Sequence, residues 1–107
     1  MTQILDDRIR IQIEIAFAGG QGCPAAAASH EQQARAAGLS GAEIDAARQH
    51  RCFDVRAAAA VRLACALREA GRNEPALVVE ARRAGLSPTE IAAIAALALA
   101  NLASAPL

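Results

Sequence analysis

In the stretch RIRIQIEIAFA, isoleucines 9, 11, 13 and 15 alternate with Arg10, Gln12 and Glu14, the two-residue period of a half-buried strand. No later segment offers a partner of that kind, and a lone strand leaves its backbone groups unpaired. On periodicity alone the segment stands open between strand and helix, and Gly19 and Gly20 end it in either case. The remainder is patterned as helices. A second element is predicted from about Pro24 to Ala37, with proline tolerated in its first turn and Gly38 as its C-terminal stop. In LSGAEI, Ser40 and Glu43 have the spacing of a capping box, and Leu39 and Ile44 that of a hydrophobic staple. Asp54 precedes a helix from about Val55 to Ala70 that Gly71 ends. Asn73, Glu74 and Pro75 open a short helix stopped by Gly85.

The punctuation GLSGAEI at 38–44 then returns as GLSPTEI at 85–91. Two helix–glycine–capping-box–helix units in one chain suggest internal pseudo-symmetry, although good helix boundaries alone account for the local chemistry. The last helix, Ile91 to about Leu102, is apolar on every face. A helix of that kind is predicted to be buried all round, and in so short a chain a second subunit would supply one of the walls.

Composition narrows this picture. A chain of 107 residues is one domain with room for one core, and we read 1–107 as a single domain. Hydrophobic residues make up 54%, with alanine carrying an unusual share, so helices form readily but each residue buries little area. The expectation is an all-α, small-residue-rich fold that assembles into an oligomer. Eleven basic residues balance eleven acidic ones and only Phe17 and Phe53 are aromatic, which argues against binding nucleic acid or an anionic membrane surface. Charges at Asp6, Asp7, Arg8 and Arg10 interrupt any secretory-type start, and the run from Ile91 to Ala100 is too short to span a bilayer. The three cysteines are scattered and odd in number, neither a disulfide framework nor a zinc knuckle; a reducing cytoplasm is the expected location, and no metal or cofactor is called for.

Candidate chemistry concentrates in GCPAAAASH, residues 22–30. Cys23 sits at a predicted helix start, where free N–H groups and the helix dipole favour a thiolate; a small residue filling a cap is the plainer reading. The preceding GGQG could hold an anion, but it lacks the Gly-Lys-Ser/Thr of a phosphate loop. His30 lies seven residues on, about 10 Å of helical rise and beyond direct contact with Cys23. Position 26, one turn from His30, is alanine. Cys52 stands two residues after His50, facing away from it on a helix, and Cys65 in LACALREA reads as a packing residue.

Cys23-Pro-Ala-Ala26-Ala-Ala-Ser-His30 followed by ARAAGLSGAEI resembles the AhpD-like and carboxymuconolactone decarboxylase-like proteins, which carry C-x-x-C-x-x-x-H at a helix start. The resemblance covers roughly residues 8–47, and AALALANL is similar to the family's closing helix. It implies an all-helical fold of about five to six helices, a trimeric or hexameric homo-oligomer, and thiol-dependent reduction of hydroperoxides; with it the first segment becomes a helix. The chain departs from the pattern at Ala26, where the family's second cysteine would stand, so an internal Cys–Cys cycle at the motif is impossible. Where the family tends to place a glutamate, this chain has Ile11, with Glu14 one turn further on as the substitute. The catalytic set implied is Cys23, His30 and Glu14, acting on a small-molecule substrate with an external thiol as reductant. Two other readings stand beside it: a non-redox lyase or hydrolase resembling the decarboxylases, with His30 as acid–base residue, and a catalytically silent oligomeric ligand-binding protein.

Overall fold

The computed structural model describes residues 5–18, 24–70 and 75–104. The described residues form six helices and no strand: α1 (Asp7–Ala18), α2 (Pro24–Ala36), α3 (Gly41–Arg48), α4 (Val55–Ala70), α5 (Pro75–Arg83) and α6 (Pro88–Ser104).

The alternation in the first segment acquires a helical meaning. On a helix, Ile9, Ile13 and Ala16 form one stripe, and Ile11 and Ile15 form another on nearly the opposite side. The first stripe packs with α4 and α6 residues including Leu63, Val61 and Ile94. The second packs with Ala34 of α2, Leu39, and Ile44 and Ala47 of α3. Helix α1 is therefore sandwiched, and a period of two arises from two buried faces rather than from one face of a sheet. Gln12, at 4% exposure, stands between them and satisfies its amide by donating to the Arg8 carbonyl at 2.9 Å.

The same plan occurs twice. Helix α1 packs on α2 and α3, helix α4 packs on α5 and α6, and the two central helices pack on each other. Each unit is built with the same devices at the same places. Asp6 accepts from the Arg8 N–H at the start of α1, and Asp54 accepts from the Ala57 N–H at the start of α4. At the end of α2, Gly38 and Leu39 donate to the Arg35 and Ala34 carbonyls; at the end of α5, Gly85 and Leu86 donate to those of Arg82 and Ala81. These are paired Schellman closures, and Gly38 and Gly85 take the φ values of 95° and 105° that they require. Ser40–Glu43 and Ser87–Glu90 then form complete reciprocal capping boxes. Finally, Arg8 reaches from its central helix to Glu43 at 3.1 Å, and Arg56 from the other to Glu90 at 2.7 Å. The pseudo-symmetry thus reaches beyond the helix boundaries to an Asp-x-Arg element that opens each unit.

Helix α3 closes with the same geometry but without glycine. His50 donates to the Ala47 carbonyl and Arg51 to that of Ala46, which places His50 at φ 61°. A left-handed backbone costs a side-chain-bearing residue roughly 1–2 kcal/mol. His50→Gly is expected to raise stability by about 0.5–1 kcal/mol, after the entropy that glycine adds to the unfolded chain. Chemical denaturation with an unchanged slope would measure it, and a lower midpoint would count against the strain.

Helix α6 is only partly covered within the single chain. Ile94 and Ala98 are buried, but Ala92, Ala96 and Ala100 are exposed and Leu99 is 54% exposed within the single chain. The apolar sequence of this helix exceeds what α4 and α5 can cover.

Candidate functional site

Of the site residues expected from the sequence, Glu14 lies on α1 and His30 on α2. Cys23 lies outside the described residues; helix α2 begins with Pro24, the next residue in sequence. The side chain at Ala26 is likewise outside them. His30 is described and is half-buried. It sits one turn before Ala34, the fully buried contact of α2 with α1 and α3, and so lies toward the hairpin's packed side. Glu14 is half-buried on α1, where its carboxylate pairs with the Arg10 guanidinium one turn back. Arg10 also lies 3.7 Å from Asp7, so Glu14 belongs to a short charged ladder along α1. No hydrogen bond joins Glu14 to His30 among the described residues. Glu31, next to His30, lies 3.9 Å from Arg48 and ties α2 to α3.

The other two thiols are in different surroundings. Cys65 is buried in the main core, and its burial pushes the thiol pKa up. Cys52 packs against that core from the loop before α4, where burial first, then the charges of Asp54 and Glu43, push its thiol up to about 11. A thiol in that state is protonated at neutral pH and is a poor nucleophile. Neither described cysteine is placed to act as a reactive thiolate.

The chain matches no model of a known protein family, no curated protein and no solved structure.

Two concavities lie among the described residues, and neither is lined by Glu14 or His30. One, of about 290 Å³, lies where the two units meet, and Asp6, Arg8, Glu43, Asp54 and Arg56 line it with Gln12. Its charged groups take part in the caps and in the Arg8–Glu43 and Arg56–Glu90 pairs made within each unit. The other, of about 400 Å³, lies between the loop leading into α4 and helices α4 and α5, with Phe53 at its edge and Arg62, Glu80 and Arg83 along one side. Arg62 and Arg83 stand in no motif with Phe53, so the sequence alone does not group them. The available signal was Phe53 itself, one of two aromatic residues, preceding a helix cap.

Glu43 and Glu90 carry a consequence for acid stability. The Ser40 and Ser87 backbone N–H groups, foremost, hold the two carboxyls below their ordinary value of 4.5, aided by Arg8 and Arg56. A depressed folded-state pKa means that the unfolded chain binds the proton first. The stabilisation is therefore present above about pH 4.5 and is lost as pH falls through the lower folded values. The double variant Glu43→Gln/Glu90→Gln keeps the cap hydrogen bonds but cannot titrate. Its melting temperature is expected to fall less steeply than that of the wild type between pH 4.5 and pH 2.5, roughly the window of carboxylate titration. Parallel curves for the two proteins would show that these carboxylates do not drive acid unfolding.

Proposed function

We propose that this chain is an AhpD-like, one-cysteine hydroperoxide reductase that works as a homo-oligomer and draws electrons from an external thiol. The observation that carries the reading is the contrast among its thiols: Cys52 and Cys65 are held protonated by burial, and Cys23 precedes the first residue of a 13-residue helix. Helix starts favour thiolates, because free N–H groups and the dipole stabilise the negative charge.

The reaction then balances as follows. The Cys23 thiolate attacks the outer oxygen of the hydroperoxide, the O–O bond breaks, and the alcohol leaves after taking a proton while Cys23 becomes a sulfenic acid. One external thiol condenses with the sulfenic acid, forming a mixed disulfide and water. A second external thiol attacks that disulfide, restoring Cys23 and releasing the oxidised reductant. With alanine at position 26, no neighbouring motif cysteine can take the place of the first external thiol. His30 is proposed to deliver the alcohol's proton through water, with Glu14 adjusting the charge of the hairpin. The exposed apolar face of α6, with Leu99 half out of the fold, supports assembly into an oligomer.

Thiol reactivity provides the direct test. Alkylation by iodoacetamide, followed by mass spectrometry over a pH series, is expected to label Cys23 well below the about 8.5 of an ordinary cysteine, with Cys52 and Cys65 modified far more slowly. A Cys23 titration at the ordinary value would overturn the reading.

A further inference from the structure

The 400 Å³ cavity beside α4 is of the size of small-molecule sites, which run about 300–1,000 Å³. Its floor is made of the small side chains Ala58, Ala59 and Ala84, which leave the space open. At its edge Phe53 and Val55 stand 69% and 70% exposed. Burying a side chain of that kind is worth about 1.5–3 kcal/mol, so two adjacent ones left in water at a concavity form an uncovered apolar contact surface.

The polar lining is unequal in what it has to offer. Asp54 accepts the Ala57 N–H at 2.9 Å, and its charge faces the positive end of α4. Glu80 takes the Arg62 guanidinium at 2.5 Å. Arg83, one turn further along α5, has no ion-pair partner among the described residues. The cavity therefore presents an apolar wall and one uncommitted guanidinium.

We propose that this cavity binds a small amphipathic carboxylate, its apolar body on Phe53, Val55 and the alanine floor and its carboxylate on Arg83. The planar guanidinium matches a carboxylate with two parallel hydrogen bonds. A dianionic headgroup is disfavoured, because Asp54 and Glu80 stand on the same lining and would repel the second charge. No described residue of α1 or α2 lines the cavity, and its occupancy does not depend on peroxide chemistry.

Three eight-carbon probes separate these ideas: octanoate, octylammonium and octyl phosphate, each titrated into the full chain while backbone amide resonances are followed. Octanoate is expected to give saturable shifts confined to residues 52–59 and 80–84, and to bind more tightly than the other two. Arg83→Gln, on an exposed position, is expected to weaken octanoate about tenfold, the scale of one charge-assisted contact. Ala58→Leu, which fills the cavity from its floor, is expected to remove the saturable shifts. The proposal is overturned if octanoate shifts scatter over the surface or fail to saturate. It is equally overturned if octylammonium or octyl phosphate binds as well as octanoate, or if Arg83→Gln leaves the octanoate affinity unchanged.

Discussion

Replacing Cys23 by serine is expected to remove thiol-dependent hydroperoxide consumption to the level of the added thiol alone. Serine keeps the size and the cap, but its hydroxyl is not ionised near neutral pH and cannot form a sulfenic acid. The loss should exceed about a thousandfold, since the covalent intermediate itself is lost. Cys65→Ala supplies the matching control. That residue is 9% exposed in the core and its thiol is pushed up by burial, so its loss changes packing and leaves turnover near that of the parent chain. Consumption measured with a hydroperoxide and excess dithiothreitol distinguishes the outcomes. Full turnover by Cys23→Ser would sink the proposal, and turnover of a lactone or small acid that disappears in His30→Ala would move it to a lyase or hydrolase.

The second large effect concerns stability. Ile13 has no exposed surface and packs in the cluster that joins α1 to α4, the contact between the two three-helix units. Ile13→Ala removes three carbons there and leaves a cavity, at a cost of about 2–5 kcal/mol. Domains of this size are held by about 5–15 kcal/mol, so the variant approaches the limit of folding. A fall in melting temperature on the order of 10–20 °C is expected from the usual entropy of unfolding. The substitution also bears on cooperativity. Each unit buries its central helix partly against the other, so neither has a complete core, and one transition is expected by both circular dichroism and a core-sensitive probe. The exposed Gln32→Ala should shift stability by less than about 0.5 kcal/mol. A comparably small change for Ile13→Ala would mean that the junction between the units contributes little.

The helix boundaries were legible because their signals are local. Ser40 with Glu43 closes its box through bonds spanning three residues, as does Ser87 with Glu90, and Gly38 and Gly85 take a backbone that other residues enter only with strain. Helix α4 spans Val55–Ala70 as its cap and following glycine imply. The first segment was different. Periodicity left it between strand and helix, because isoleucines 9, 11, 13 and 15 mark either one face of a strand or two faces of a sandwiched helix. Only the position of α1 between α4 on one side and α2 and α3 on the other distinguishes these, and that is a long-range fact.

The same division runs through the candidate sites. The Cys23–His30 spacing, and the alanine between them, belong to the sequence alone. The burial of Cys52 and Cys65, which raises their thiol pKa values, belongs to the packing of the α3–α4 loop and α4. The doubled Asp-x-Arg element was present in the sequence as DDR at 6–8 and DVR at 54–56, yet three residues recur too easily to carry weight unaided. Its meaning appeared when Arg8 and Arg56 were found on the glutamates of equivalent capping boxes. By itself the sequence determined where helices start and stop, since caps and glycine turns act through bonds within a few residues. The tertiary structure decided which faces those helices bury, which thiols are held protonated, and how the charged groups of the described residues pair, because burial and pairing depend on distant segments brought into contact.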